Sequence, residues 1–106
     1  MASSSDYLAY VMEQLSQLEE VTYRAMMGEF LLYYRGKLFG GIYDDRFLVK
    51  SEPSALRMMP EAPRELPYPG AAEMLLVEQM DDPAFLKELI SAMYPQLPEP
   101  KKKKRK

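Results

Sequence analysis

The chain of 106 residues contains no cysteine and no histidine. Without cysteine there can be no disulfide and no thiolate nucleophile, and zinc sites built from Cys and His are excluded. The absence of histidine also removes the side chain that most often serves as a general base near neutral pH. We therefore expect a protein that is not an enzyme and that has no metal or other cofactor.

Long apolar runs and phosphate-binding glycine motifs are also missing. No stretch approaches the roughly 20 apolar residues of a membrane-spanning helix, and MASSSDYLAY at the start has no signal-peptide pattern. The five glycines match neither G-x-G-x-x-G nor a Walker loop. We expect a cytoplasmic protein that has no membrane contact and no nucleotide site.

Charge divides the chain into an acidic body and a basic end. Residues 1–100 carry 16 acids and 8 bases, whereas Lys101, Lys102, Lys103, Lys104, Arg105 and Lys106 are all cationic. The length suits one domain, which we place at residues 1–97, followed by a disordered basic tail at 98–106. Because the body repels nucleic acid, contact with DNA would depend on this tail or on a local basic patch. The tail is either such an arm or only a solubilising end.

Hydrophobic spacing predicts amphipathic helices near both ends of the chain. Apolar residues recur at one-face spacing over 6–19, after serines that can cap a helix, and again over 83–94, where Asp82-Pro83 forms a start signal. A short helix is expected at 54–59, and prolines predict an irregular loop from Pro60 to Gly70.

Aromatic and β-branched runs between the helices predict strands. We place them near 21–27, 29–34, 37–43 and 46–51, with tight turns at Arg35-Gly36 and Asp44-Asp45 and one more strand at 72–79. The predicted fold is therefore α+β in two layers. An antiparallel β meander of about five strands carries the N- and C-terminal helices on the sheet.

The two turns set a register that divides the side chains between two faces. One predicted face is wholly apolar and would be the core: Leu31, Tyr33, Leu38, Gly40, Ile42, Phe47 and Val49. The other mixes aromatic, aliphatic and cationic residues. Its predicted interaction face consists of Tyr34, Lys37, Phe39, Tyr43, Arg46 and Lys50.

Three interpretations fit this mixed face. Aromatic and cationic residues on a sheet can stack single-stranded bases, but the same residues suit strands that another element covers, and they also anchor protein interfaces. Coverage is favoured over base stacking. Some of the nine methionines offer a second adaptable surface, and Met26, Met27, Met58, Met59 and Met80 are the ones not placed in the core.

Paired carboxylates are expected to be structural. The pairs Glu19-Glu20, Asp44-Asp45 and Asp81-Asp82 fall at a helix end, a hairpin tip and a helix start. Capping and turn geometry favour Asp and Glu at such places, so a metal site is not predicted.

The run RAMMGEFLLYYRGKLFGGIYDDRFLVK resembles the N-terminal domain of the TfoX/Sxy family of bacterial competence regulators. The match extends through PYPG and the strand and helix that follow, to about Leu97. Residues that match the family pattern are Arg24, Met26, Met27, Gly28, Tyr33, Phe39, Gly40, Asp44 and Lys50.

The resemblance implies a curved antiparallel sheet with terminal helices and a role in transcription. Full-length TfoX proteins act as coregulators of DNA-uptake genes together with the catabolite activator protein, and they have a second, helical domain where this chain has a basic tail. We therefore expect a stand-alone, non-enzymatic module. It would contact a protein of the transcription machinery, and its tail would add non-specific affinity for nucleic acid.

The alternative is a small-molecule-binding or enzymatic domain that uses the mixed face or the proline-rich loop. Arg24 or Arg46 would then hold an anion.

Overall fold

The computed structural model describes residues 4–98 and has the predicted α+β architecture. The helices are Ser5–Gln14 (α1), Pro53–Met58 (α2) and Pro83–Met93 (α3), and a 3₁₀ turn at Tyr94–Gln96 continues α3. The strands are Val21–Met26 (β1), Glu29–Tyr34 (β2), Lys37–Ile42 (β3), Phe47–Val49 (β4), Arg64–Glu65 (β5) and Met74–Leu76 (β6). In the described range, no helix is both long enough and apolar enough to cross a membrane.

All six strands form one antiparallel sheet in the order β1-β2-β3-β4-β6-β5. The first four strands make the predicted meander. The extra strand, β5, lies inside the segment that we expected to be irregular, and its residues Arg64 and Glu65 pair with Leu75 and Met74 of β6. Such a short edge strand has no hydrophobic alternation that could predict it.

The helix starts follow the capping signals in the sequence. The Ser4 hydroxyl accepts a hydrogen bond from the Tyr7 N–H at 3.1 Å, and Asp82 caps α3 by accepting from the Phe85 N–H at the same distance. The predicted extension of α1 to residue 19 is wrong. After Gln14 the chain makes short turns and reaches Glu20 with φ at 64°, because it must reverse before β1 begins.

A β-bulge between β2 and β3 changes the predicted register. Tyr33 pairs with Leu38, as the Arg35-Gly36 turn requires, but Leu32 pairs with Gly40, so Phe39 is the additional residue in β3. Side chains alternate between the two faces along a strand. The shift by one residue therefore moves the side chains of β2, and those of β3 before the bulge, to the face opposite the predicted one. The predicted division of the sheet is therefore wrong for β2 and for the start of β3.

The core lies between the helices and the face that carries Leu32 and Phe39, neither of which is exposed at all. The half-buried Leu31, Tyr33 and Leu38 lie instead on the opposite side, called here the second face. The predicted core positions that follow the bulge in β3, and those in β4, are confirmed. The buried core cluster includes Leu8, Val11, Leu15, Leu32, Phe39, Ile42, Phe47, Val49, Leu75, Leu86, Leu89, Ile90 and Met93.

Candidate interaction surface

The β1–β2 hairpin ends in a two-residue turn formed by Met27 and Gly28. Both residues have positive φ values, 53° and 86°, which is the conformation that a tight hairpin turn of this kind requires. Glycine adopts it freely, whereas methionine does so only under strain. The turn projects the Met27 side chain into solvent, where 94% of it is exposed.

Strand β1 forms one edge of the sheet and is exposed over most of its length. Residues 22–26 are all exposed, and in an antiparallel ladder every second residue of an edge strand directs its N–H and C=O outward. Tyr23 and Met26 are 51% and 44% exposed. Tyr23 lies opposite Leu32 on the helix side of the edge, and Met26 lies on the other side, so the edge has an exposed apolar side chain on each face. These two residues and Met27 at the hairpin tip are called here the β1 patch.

Of the five methionines that the sequence leaves outside the core, the structure exposes only Met26 and Met27. Met59 is 5% exposed and belongs to the core, and Met58 and Met80 pack partly buried against it.

Six residues were predicted to form an interaction face, and the structure does not bring them together on one open surface. The bulge places Phe39 in the core and turns Lys37 and Tyr34 towards the helices. Tyr43 and Lys50 remain on the second face. Coverage by other elements, the favoured interpretation, therefore describes most of this set.

Lys37 shows how a cation is accommodated beneath a helix. Its side chain is 8% exposed, and Nζ donates a hydrogen bond to the Tyr94 carbonyl oxygen at 3.2 Å. The same ammonium lies 4.3 Å from the centre of the Tyr94 ring, a cation–π distance. Tyr34 also meets this ring, with the ring centroids 5.3 Å apart. These contacts attach the end of α3 to the sheet and leave neither residue open to a partner.

Arg46 attaches the segment from Pro60 to Gly70, called here the proline-rich segment, to the sheet. Its Nε donates to the Tyr43 carbonyl oxygen at 3.0 Å, and the guanidinium also forms an ion pair with Glu65 and reaches the Leu66 carbonyl oxygen. Both partners of the ion pair are about 30% exposed, so its net contribution to stability is modest, at roughly 0–1 kcal/mol. The guanidinium is thus already engaged, which argues against Arg46 as an anion anchor.

Tyr43 and Leu48 are buried on the second face, outside the core cluster. They are 5% and 0% exposed, and Tyr68 of the proline-rich segment lies 6.3 Å from Tyr43 between ring centroids. Burial raises the pKa of Tyr43 to about 12, and Tyr68, Glu29 and Tyr33 add smaller effects in the same direction. The phenol is therefore neutral at physiological pH.

Beside Tyr43, a cavity of about 390 Å³ opens between the second face and the segment from Pro67 to Met74. Leu38 and Met74 contribute apolar surface, and Lys50 brings a charge. Sequence reasoning had assigned Lys50 to an interaction face, but it could not find the cavity, because the cavity depends on how the proline-rich segment folds back.

Two of the remaining positions in the family pattern have structural roles. A Cβ on Gly40 would lie 2.2 Å from the Leu48 carbonyl oxygen, so only glycine fits at the bulge. Asp44 occupies a turn position with φ at 55°, and its N–H donates to Glu29 Oε1 at 3.0 Å. Arg24, by contrast, is exposed on β1 beside the β1 patch.

The carboxylate pairs behave as predicted where their contacts are defined. Asp82 caps α3, and Asp45 Oδ1 accepts a hydrogen bond from the Ser4 N–H at 2.8 Å, which joins the β3–β4 turn to the start of α1. Within residues 4–98, no group of three or more acidic side chains could hold a metal ion. The basic tail, Lys101 to Lys106, lies outside the described residues.

Comparison with known families decides the assignment. Residues 13–94 match the model of the TfoX N-terminal domain, which covers most of the chain. The chain belongs to the TfoX N-terminal domain family. The resemblance seen in the sequence is thereby confirmed, and the β1 patch and the second face are surfaces of a TfoX N-terminal domain.

A similar relative of this TfoX N-terminal domain is an uncharacterized 12.7 kDa protein in the trpE 5′ region of Spirochaeta aurantia. It is 30% identical over 108 residues, which cover 100% of this chain and 93% of the relative. No solved structure matches the chain.

The raised pKa of Tyr43 predicts a loss of stability at alkaline pH. Between pH 10 and about 12 the unfolded chain ionises this phenol while the folded chain keeps it neutral, so the free energy of unfolding falls as the pH rises through this range. Tyr43→Phe should fall less steeply than the wild type in urea unfolding. The control is Tyr23→Phe, at an exposed position, which should follow the wild type. Identical slopes for all three proteins would show that Tyr43 ionises freely in the fold.

Proposed function

We propose that this TfoX N-terminal domain is a non-enzymatic interaction module that acts in transcription regulation by contacting a protein partner. The partner is a component of the transcription machinery, and the basic tail adds non-specific affinity for nucleic acid. Competence gene control is the role that the wider family suggests for such contacts.

The β1 patch is the observation that carries this proposal. An edge strand with outward backbone groups is a template for pairing with an extended segment of another protein. Apolar side chains beside such an edge supply the buried contacts that give an interface its affinity. Tyr23, Met26 and Met27 are placed in this way, and Met27 accepts an unfavourable backbone conformation at the tip. Packing within the domain gives no reason for a methionine that is 94% exposed.

The charge distribution supports a protein partner in preference to a nucleic acid for the body of the domain. Arg24 is the one cation on β1, whereas Glu19, Glu20 and Glu29 lie close to it in the chain. A sheet edge that reads a phosphate backbone needs a cluster of cations. The tail has six consecutive cations, so the electrostatic contact with nucleic acid is assigned to it.

A photo-crosslinking residue at position 27 tests the protein contact in living cells. Its side chain would extend from the hairpin tip, so we expect one discrete crosslinked product that contains a transcription protein. The matched control carries the same group at Glu88, an exposed position on α3 away from the β1 patch. If position 27 gives no product, or the same products as position 88, the β1 patch is not the contact surface.

The contribution of the tail is tested by DNA binding across a salt series, with the intact chain and with a chain truncated after Pro100. If the six cations neutralise six phosphates, the slope of log affinity against log salt concentration is about −5, and it cannot be steeper. We expect the intact chain to bind duplex DNA with a steep slope and the truncated chain to lose binding. Equal affinity of the two chains, measured by fluorescence anisotropy, would remove the tail from the proposal.

A further inference from the structure

The cavity on the second face has the position and size of a small-ligand site. Its floor is the sheet, where Leu38 of β3 and Lys50 after β4 lie, and its opposite wall is the segment that contains Pro67, Tyr68 and Met74. The volume of about 390 Å³ falls at the lower end of the range for ligand pockets, roughly 300–1,000 Å³. It suits a single small metabolite and is too small for a dinucleotide.

Two opposite charges line this cavity without meeting each other. Lys50 and Glu52 are both half-buried, and among residues 4–98 neither side chain has a hydrogen bond or an ion pair within 4.0 Å. Glu52 even occupies the N-cap position of α2 without using its carboxylate to cap the helix. Partial burial of unpaired charges costs free energy, which a ligand of matching charges would recover.

The remaining walls are largely apolar and aromatic. Leu38, Met74, Tyr43 and Tyr68 surround the space beside the charges. Tyr68 lines the cavity beside Tyr43 and is 54% exposed, so an apolar group bound there would cover surface that now faces water.

The balance of charge excludes a simple anion as the best ligand. One cation, Lys50, is accompanied by two carboxylates, Glu52 and the exposed Glu73. A phosphate or a dicarboxylate would gain from the lysine but would be repelled by both glutamates. A ligand with one negative and one positive group, joined to an apolar body, matches Lys50, Glu52 and the apolar walls, and leaves the exposed Glu73 to solvent.

We propose that this cavity binds a free α-amino acid with an apolar or aromatic side chain. The Lys50 ammonium holds the ligand carboxylate, the Glu52 carboxylate holds the ligand ammonium, and the side chain lies against Leu38, Met74 and the two tyrosines. This site is separate from the β1 patch, and it does not depend on the interaction proposed there.

Calorimetric titration of the full chain with L-phenylalanine and with L-leucine tests the site. At least one should bind saturably. N-acetyl-L-phenylalanine lacks the ammonium and L-phenylalaninamide lacks the carboxylate, so each should bind about tenfold or more weakly than phenylalanine, the loss expected for one charged hydrogen bond.

Variants assign the two charges to their residues. Lys50→Met should weaken phenylalanine binding about tenfold or more and remove the preference for phenylalanine over its amide. Glu52→Gln should do the same for the preference over the N-acetyl compound. Lys87→Met and Glu88→Gln make the same chemical changes at exposed positions on α3, and should bind as the wild type does.

The analogue series on the wild-type chain remains decisive even where a cavity variant fails to fold. The proposal is overturned if neither amino acid binds at roughly millimolar concentration. It is equally overturned if the capped analogues bind as tightly as phenylalanine, or if folded Lys50→Met and Glu52→Gln proteins bind it unchanged.

Discussion

The bulge at Phe39 is the constraint on which the rest of the sheet depends. Tight turns on both sides fix the pairing of β2 with β3 near Tyr34 and of β3 with β4 near Ile42. Between these pairings β3 carries one more residue than β2, and next to it the missing side chain of Gly40 lets the Leu48 carbonyl of β4 approach closely. The bulge then turns both Leu32 and Phe39 towards the helices, where they are fully buried.

Two further surfaces of the sheet lie outside the core. Near β4, the proline-rich segment lies over the second face, held by Arg46 and by the contact between Tyr43 and Tyr68, and it forms one wall of an open cavity. At β1 the sheet ends in an open edge with Met26 and Met27 at its tip. The open cavity and the exposed edge are separate surfaces, so the two proposals can be tested independently.

Much of the architecture follows from local signals in the sequence. Capping by Ser4 and Asp82 and the turns at Arg35-Gly36 and Asp44-Asp45 are strong, short-range features, and they predict the helix starts and the meander. The predicted faces are wrong for β2 and for the start of β3 because a bulge separates them from the rest of the sheet. A bulge depends on close packing between strands, which an alternating pattern of apolar residues does not reveal. The short strand β5 and the cavity depend on contacts between distant segments, and they were missed for that reason.

The interaction surfaces were predicted only in part. The sequence indicates the two methionines at the hairpin tip as candidates because it does not place them in the core. The structure exposes both side chains. Half of the aromatic and cationic set was misplaced by the wrong register: Tyr34 faces the helices, and Lys37 and Phe39 belong to the interior. Lys50 lies on the second face in both the predicted and the observed sheet, because β4 pairs with β3 in the predicted register.

The bulge is tested most directly by comparing Leu31→Ala with Leu32→Ala in urea unfolding. Both variants remove the same atoms from neighbouring positions of β2. Leu32 is fully buried in the core, so its loss should cost about 2–5 kcal/mol, whereas the half-buried Leu31 should cost less, about 1 kcal/mol. The register without a bulge predicts the reverse order. A larger loss for Leu31→Ala would therefore contradict this division of the sheet into a core face and a second face.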